Sequence, residues 1–279
     1  MGKMRYAVMT FMFAPWWKDG RITHEALIEE LAREGVQGIE PFHPLFAEEP
    51  GLIARYARAL DATGLGVAAV DVICDLVYSS PQEKARGREE LARGLDVCVA
   101  LGARVALVAG HMPKKGVTLE DARKMISEGL SERADFAKAR GITLAIEDFG
   151  LTPELMCKAA DCLKVMGRAD GRIRFVFDTG NFEFAGERAD ESFDALWERI
   201  CHVHFKDWRP VEDRRAGDGG ILEHLCGCPL GEGIVPNAEI ARRLLEKGYD
   251  GWVSLEATAV AETPAATVRR DLAVLRGWF

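Results

Sequence analysis

The sequence lacks any apolar run long enough to cross a membrane. A spanning helix needs about 20 consecutive apolar residues, and no stretch of this sequence approaches that length. The first residues, MGKMRYAVMTFMFAPWWKDG, are partly apolar, but they lack the long central run and the small-residue cleavage site of a signal peptide. We therefore predict a cytoplasmic protein without membrane contact.

The chain also lacks a surplus of positive charge. Its 36 lysines and arginines are outnumbered by 44 aspartates and glutamates, which gives a net charge of −8. Binding to DNA or RNA generally needs a basic surface, because contacts with the phosphates supply most of the non-specific affinity. The charge balance therefore argues against a nucleic-acid partner and favours a small-molecule substrate.

A disulfide framework is missing as well, because the seven cysteines are odd in number and scattered. Cys226 and Cys228 form the one close pair. Their one-residue spacing is unusual for a zinc finger, and no second pair completes a set of ligands. We predict reduced, structural thiols.

What the sequence does contain is a regular alternation of strand-like and helix-like segments. THEALIEELAREG begins with a threonine cap, carries apolar residues at helical spacing and ends in glycine, and TLEDARKMISEGLSERADFAKARG repeats this pattern over a greater length. The strand-like runs are Arg5–Phe13, Val36–Phe42, Gly66–Asp75, Arg104–Gly110, Thr143–Gly150, Arg174–Gly180, Ile200–Asp207 and Gly251–Ala257.

This alternation predicts an α/β fold with parallel strands and right-handed crossovers. Eight units in 279 residues favour a closed (β/α)8 TIM barrel, which commonly takes about 250 residues. An open dinucleotide-binding sheet is the competitor, but no Gly-x-Gly-x-x-Gly follows the first run. We predict a single barrel domain over residues 1–279.

Four of the predicted strands carry a ligand-type side chain near their carboxyl end. Alternation in TLAIEDFG, RFVFDTGN, HVHFKD and WVSLEA directs these groups into the barrel, where catalytic residues gather at the mouth. They are Glu147, Asp178, His204 and Glu256. Three converging carboxylates would repel one another, so a divalent cation among them is the simplest solution. Carboxylate and imidazole ligands suit Mn²⁺, Co²⁺, Zn²⁺, Fe²⁺ or Mg²⁺.

The chain resembles the xylose-isomerase-like barrels, a family that includes sugar-phosphate isomerases and epimerases. The motifs GVQGIEP, LAIEDFG, FVFDTGN, HVHFKD, LGEG and VSLEA carry this resemblance in order over nearly the whole chain. The resemblance implies metal ligation by Glu147, Asp178, His204 and Glu256, with Mn²⁺ as the first choice of ion. It also implies that Glu147 and Glu256 act as acid and base, moving a proton beside a carbonyl through a metal-stabilised enediolate.

The leading functional prediction is an isomerase or epimerase of a sugar, a sugar phosphate or a related polyhydroxy ketone. Two positions depart from better-defined family members: Asn181 stands where several ketose epimerases have histidine, and Asp148 where members often have asparagine. The motif HVHFKDW looks more like the branch that acts on keto-inositols or other oxo-polyols. A lyase that dehydrates such a substrate is therefore the alternative.

Five further residues are predicted to contact the substrate: Glu40, Asn181, His202, Lys206 and Trp17. Lys206 would serve as an acid or an anion clamp, because a buried lysine is rare without a partner. For Glu40 the alternative is a solvated acid, for His202 a supporting position behind the ligands, and for Trp17 a packing or dimer surface. His111 follows the fourth strand, where an exposed turn is the favoured prediction and contact with the substrate is the alternative.

Two other classes of function remain as alternatives. DNA repair is one, because apurinic endonucleases share this barrel, but six histidines and the negative charge argue against their histidine-rich zinc cluster. A barrel that only binds a sugar is the other. The irregular segment Arg209–Glu232, with Arg214 and Arg215, is expected to set specificity. A homo-oligomer is in keeping with the family.

Overall fold

The structure, a computed structural model, describes residues 4–49, 51–211 and 224–279. Within them a nine-stranded parallel sheet has the strand order β3-β2-β1-β11-β8-β7-β6-β5-β4. Its strands are β1 (Arg5–Met9), β2 (Gly38–Glu40), β3 (Gly66–Val67), β4 (Val70–Ile73), β5 (Val105–Ala109), β6 (Thr143–Glu147), β7 (Arg174–Asp178), β8 (Ile200–Phe205) and β11 (Trp252–Leu255). A separate antiparallel ribbon pairs β9 (Trp208–Pro210) with β10 (Leu225–Gly227).

The two edge strands of this sheet, β3 and β4, both lie in the third predicted strand, Gly66–Asp75, and this strand closes the barrel. β3 pairs with β2, and β4, only two residues further along the chain, pairs with β5. Between them the backbone N–H of Ala68 donates to the carbonyl of Ile39 at 3.0 Å, and Phe42 forms a parallel bridge with Asp71. β3 and β4 are therefore two halves of one barrel strand, and the predicted (β/α)8 barrel is confirmed.

Helices surround the barrel. They are α1 (Ala14–Lys18), α2 (His24–Arg33), α3 (Leu45–Glu48), α4 (Leu52–Thr63), α5 (Pro81–Leu101), α6 (Leu119–Ser131), α7 (Ala134–Ala139), α8 (Pro153–Met156), α9 (Ala159–Arg168), α10 (Ala189–Leu196), α11 (Asn237–Glu246) and α12 (Pro264–Trp278). The Thr23 side chain caps α2 by accepting from the N–H of Ala26, as its sequence predicts. The long pattern that begins at Thr118 forms two helices, α6 and α7. Among the described residues, none of these helices is both long and apolar enough to cross a bilayer.

The alternation of side chains along the strands separates two apolar groups. Outward-facing residues such as Ile146, Phe175 and Val203 join the large core between the sheet and the helices. A small second cluster of Leu107, Ala109, Ala145 and Val176 lies inside the barrel. At the mouth, polar groups take the inward positions of the strands, and these form the site described next.

Candidate metal centre

The four predicted ligands converge on one point at the mouth of the barrel. Nδ1 of His204 lies 3.6 Å from Oδ2 of Asp178, 3.7 Å from Oε2 of Glu256 and 3.9 Å from Oε2 of Glu147. Ligand atoms of Glu147, Asp178 and His204 all lie within 4.8 Å of one another. Glu147 and Asp178 end their strands and Glu256 directly follows β11, so the parallel strands deliver all of them to the same rim.

Two buried atoms in this cluster face each other, Oδ2 of Asp178 and Nδ1 of His204. Nδ1 of His204 lacks a hydrogen-bond partner, whereas Oδ2 of Asp178 lies 3.0 Å from the Lys206 ammonium. The other oxygen of Asp178 accepts from the backbone N–H groups of Gly180 (2.8 Å) and Asn181 (2.9 Å), which fixes the carboxylate. Buried polar atoms normally have partners, so the unshared lone pair of Nδ1, directed at three carboxylates, fits a bound cation. The donor set of carboxylates and one imidazole suits a divalent ion.

The electrostatics of the cluster support the same conclusion. Burial raises the pKa of Glu147 to about 8 against the opposing charge of His204, and repulsion from Asp178 contributes to the rise. Burial likewise raises the pKa of Glu256. In the site without an ion these carboxyl groups therefore resist ionisation. A divalent cation would reverse that balance, because it favours the charged form of each ligand.

Lys206 extends into the cluster beside the ligands. Its Nζ lies 2.8 Å from Oε1 of Glu256, 3.0 Å from Oδ2 of Asp178 and 3.1 Å from Oδ1 of Asn181. Burial opposes its charge, but the carboxylates of Asp178 and Glu256 outweigh that effect and hold the pKa of Lys206 above its usual range. The side chain is therefore a buried ammonium within reach of the proposed ion. Asn181, predicted to bind substrate, accepts from this ammonium.

Glu40 and His202 lie in a layer beneath the ligands. Nε2 of His202 lies 2.9 Å from Oε2 of Glu40 and 3.1 Å from Oγ of Ser254. The second Glu40 oxygen lies 3.0 Å from Nε2 of His204. Glu40 is completely buried. This geometry favours the supporting position for His202, excludes a solvated acid at Glu40 and places Glu40 in the same layer; the substrate contacts predicted for both residues stay predictions.

Trp17 lies in α1 and packs against His24, the first residue of α2. Its ring lies 4.8 Å from that of His24, with an interplanar angle of 46°. The predicted wall of the sugar pocket at Trp17 stays a prediction. A different aromatic residue flanks the ligand cluster: the Trp208 ring lies 5.9 Å from Nζ of Lys206 and packs against Phe184 at 5.1 Å. Trp208 ends the HVHFKDW motif, so the sequence signal for it was present.

The sequence analysis did not predict a place in the site for two further buried acidic residues, Asp71 and Asp148. Asp71 is buried, and its pKa is raised by burial and by the neighbouring charge of Glu40. Alternation in the third strand, where Val70 and Val72 pack outward, could have identified it. Asp148 is also buried, and its Oδ1 accepts from the backbone N–H of Asp178 at 3.0 Å. It supports a ligand from behind, a role that strand alternation does not reveal.

The prediction that His111 lies in an exposed turn is wrong: the residue is buried, and its Nδ1 accepts from the backbone N–H of Leu76 at 3.3 Å. Arg214 and Arg215 lie outside the described residues. In the described parts of Arg209–Glu232, whose role in specificity stays a prediction, residues 209–210 and 225–227 belong to the β9–β10 ribbon, and Trp208 of this ribbon lies beside Lys206.

A model of the family described as xylose isomerase-like TIM barrel matches residues 28–278. The chain belongs to this family. Curated relatives include the inosose dehydratase of Lacticaseibacillus casei, 26% identical over 254 residues that cover 85% of this chain and 82% of that protein. The inosose dehydratase of Geobacillus thermodenitrificans is 25% identical over 257 residues, covering 85% and 83%.

Several solved structures share the fold. The IOLI protein with a bound zinc atom superposes with a TM-score of 0.79 at 16% identity, covering 99% of each chain. The E. coli 3-keto-D-glucoside 4-epimerase YcjR gives 0.75 at 18% identity, covering 99% of this chain and 100% of that one. The probable 3-DHS dehydratase AsbF of Bacillus anthracis gives 0.75 at 18%, covering 98% and 99%. At these identities the likeness establishes the barrel alone.

Proposed function

We propose that the protein is a metal-dependent lyase that dehydrates a keto-inositol or a similar oxo-polyol. The observation that carries this proposal is the match to inosose dehydratases over 85% of the chain. It favours the dehydratase alternative of the sequence analysis over the isomerase or epimerase that leads there. Asn181 adds support. Several ketose epimerases of the family have histidine at this position, whereas here Oδ1 of Asn181 accepts a hydrogen bond from Lys206.

The reaction begins with removal of the proton next to the ketone of the substrate. A divalent ion held by Glu147, Asp178, His204 and Glu256 would polarise the ketone oxygen and lower the cost of the developing negative charge. We assign proton transfer to Glu147 and Glu256, which approach the site from strands that are not neighbours. Water has limited access to both groups, which strengthens their electrostatic interactions with a bound substrate.

Dehydration then needs a hydroxyl group to leave from the next carbon. The electron pair left by the C–H bond is first held in the enolate. It then forms the new C=C bond as the C–O bond breaks, and the hydroxyl departs as water after accepting a proton. We assign the donation of this proton to Glu256, which approaches the site from a strand that is not adjacent to the strand of Glu147. The substrate therefore equals the product plus one water, and no redox partner is required.

Lys206 stabilises the charge that forms during these steps. Its ammonium lies 2.8 Å from Oε1 of Glu256, so it is close to the group that exchanges protons with the substrate. The raised pKa of Lys206 makes it a poor proton donor, and we therefore assign it the clamp role instead of the acid role. A fixed positive charge in a buried site stabilises negative charge without any reorganisation of solvent.

The setting that we propose is a cytoplasmic enzyme of small-molecule metabolism with Mn²⁺ as its ion. Its partner is the sugar-like or polyol substrate, with neither nucleic acid nor membrane involved, and a homo-oligomer stays a prediction. The ion can be tested directly: chelator-treated protein should regain the most activity with Mn²⁺ among Mn²⁺, Zn²⁺, Co²⁺, Mg²⁺ and Fe²⁺. Higher activity with another ion would correct the choice of metal but leave the ligand set intact.

The experiment that tests the reaction is product analysis with an inosose as substrate. The metal-loaded protein should produce a conjugated carbonyl, seen as new ultraviolet absorbance, together with a product whose mass is lower by one water. A product of unchanged mass and new stereochemistry would establish the epimerase instead. Turnover that survives complete removal of metal would overturn the metal-dependent mechanism for either reaction.

A further inference from the structure

One carboxylate lies between the two histidines of the HVHFKD motif. Oε2 of Glu40 lies 2.9 Å from Nε2 of His202, and Oε1 lies 3.0 Å from Nε2 of His204. The three side chains are completely buried. His202 and His204 stand two apart on β8 and therefore point to the same side, which is how a single carboxylate from β2 reaches both rings.

We propose that Glu40 is a positioning residue that fixes which nitrogen of His204 binds the metal. A carboxylate only accepts hydrogen bonds when ionised, so the facing Nε2 atom must carry a proton. The remaining nitrogen, Nδ1, then presents its lone pair to Asp178, Glu147 and Glu256. This inference rests on the metal site of the proposed function but not on the identity of the substrate.

The distances agree with this assignment on both sides of the ring. Nε2 sits at hydrogen-bonding distance from Glu40, whereas Nδ1 lies 3.6–3.9 Å from the three other carboxylates and has no hydrogen-bond partner. A spacing of that kind leaves room for an ion between the ligand atoms. An imidazole with one nitrogen on a carboxylate and the other on a metal is held in one orientation and is a stronger ligand.

The geometry also predicts that glutamine cannot replace Glu40 as this support. Gln has one accepting oxygen and one donating amide, so only one of the two facing N–H groups keeps an acceptor. The other imidazole must move its proton to Nδ1 or turn away. His202 has a second contact, with Ser254 at 3.1 Å, but His204 has no equivalent on that side. We expect the metal-binding ring to lose its fixed orientation.

The test is Zn²⁺ affinity, measured by calorimetry with a competing chelator. Glu40→Gln should bind Zn²⁺ about 10- to 100-fold more weakly than the wild type, the range found for such supporting carboxylates. Ser254→Ala removes a contact of His202 in the same layer without touching His204, and should bind within about twofold of the wild type. Wild-type affinity in Glu40→Gln would overturn the inference.

A second measurement decides the matter even if Glu40→Gln does not fold. In the Zn²⁺-loaded wild type, nitrogen NMR should show that His204 carries its proton on Nε2 and binds zinc through Nδ1. Zinc on Nε2 would overturn the inference. So would two zinc ions per chain, with one lost in Glu40→Gln, because Glu40 would then be a ligand itself.

The proposed metal site has its own check in Asp178→Asn. The variant keeps the Oδ1 atom that accepts from Gly180 and Asn181 but loses the charge on Oδ2. Greatly weakened zinc binding is expected. If Asp178→Asn binds zinc as the wild type does, the ligand set of the proposed function is wrong. If it loses zinc while Glu40→Gln does not, only the role of Glu40 falls.

Discussion

The ammonium nitrogen of Lys206 lies 2.8 Å from Oε1 of Glu256, among the side chains that we propose to hold a divalent cation. It also lies 3.0 Å from Oδ2 of Asp178. A positive charge at this position repels the ion, so it does not serve metal binding. The contact is understandable if the ammonium stabilises negative charge on the substrate during turnover.

Replacing Lys206 by methionine should separate these two effects. Lys206→Met keeps most of the side-chain volume but removes the charge, so the affinity for Mn²⁺ should stay equal or increase. Turnover should fall by about 100-fold or more, the usual cost of losing a group that assists charge or proton movement. Calorimetry gives the affinity, and the ultraviolet signal of the product gives the rate.

Lys206→Arg is the matched control, because it keeps the charge and should retain more activity than Lys206→Met. Arginine is bulkier, so full wild-type activity is not expected. A Lys206→Met protein that loses its metal together with its activity would contradict the clamp role. The ammonium would then be needed to maintain the structure of the metal site.

Glu147 and Glu256 should be separable from the other acidic residues by hydrogen exchange. Glu147→Gln and Glu256→Gln should each abolish exchange of the substrate α-hydrogen with solvent deuterium, because glutamine cannot take part in proton transfer and each change removes a charged ligand of the proposed ion. Proton NMR of the recovered substrate measures this without reference to the final product. Glu128→Gln, on the exposed side of α6, should exchange at the wild-type rate. Normal exchange in both site variants would remove these glutamates from proton transfer.

A local rule was sufficient to predict much of the site. Side chains alternate along a strand, and parallel strands end at one rim, so the inward groups of four strands had to meet. His204 and its three carboxylate neighbours follow from that rule. Asp71 would have followed as well had the rule been applied to the third strand, because Val70 and Val72 pack outward there.

Other features depend on contacts that no local pattern contains. The partner of Glu40, His202, is 162 positions away, and their pairing requires the closed barrel. Likewise, α6 ends at Ser131 and α7 starts at Ala134, although neither proline nor glycine interrupts the chain between them. His111 follows a strand and suggested an exposed turn, but Leu76 and Thr152 pack against it from distant loops.

Asp207 should stabilise the chain between residues 231 and 235, because its carboxylate accepts from the backbone there. The carboxylate is buried and accepts from the backbone N–H groups of Gly231 (2.9 Å), Gly233 (3.0 Å), Val235 (3.2 Å) and Trp208 (2.9 Å). Asp207→Ala leaves these donors without their acceptor, and we expect the free energy of unfolding to fall by about 2–4 kcal/mol. Urea denaturation measures the loss.

Asp250→Asn is the control for this change, because Asp250 is exposed and should alter the free energy of unfolding by less than about 0.5 kcal/mol. Asp207→Asn keeps one accepting oxygen and should lie between Asp207→Ala and the wild type. An Asp207→Ala protein as stable as the Asp250→Asn control would show that water replaces the carboxylate at no cost.

His111 should make the fold sensitive to mild acid. Burial lowers the pKa of His111 from 6.5 to about 4, and its Nε2 has no partner. Because the folded-state pKa is depressed, the unfolded chain binds a proton in this range that the folded protein resists. The stabilising contribution is therefore complete above pH 6.5 and is lost as the pH falls from 6.5 towards about 4.

His111→Asn should reduce that sensitivity, because asparagine can accept from the backbone N–H of Leu76 but does not titrate. One buried histidine contributes up to about 1.4 kcal/mol per pH unit, so between pH 7 and pH 5 the wild type should lose about 2 kcal/mol more stability than the variant. Urea denaturation of chelator-treated protein at the two pH values measures the difference without a contribution from metal release. Equal losses in both proteins would mean that His111 is protonated in the folded state, and that its unpartnered nitrogen has an acceptor at low pH.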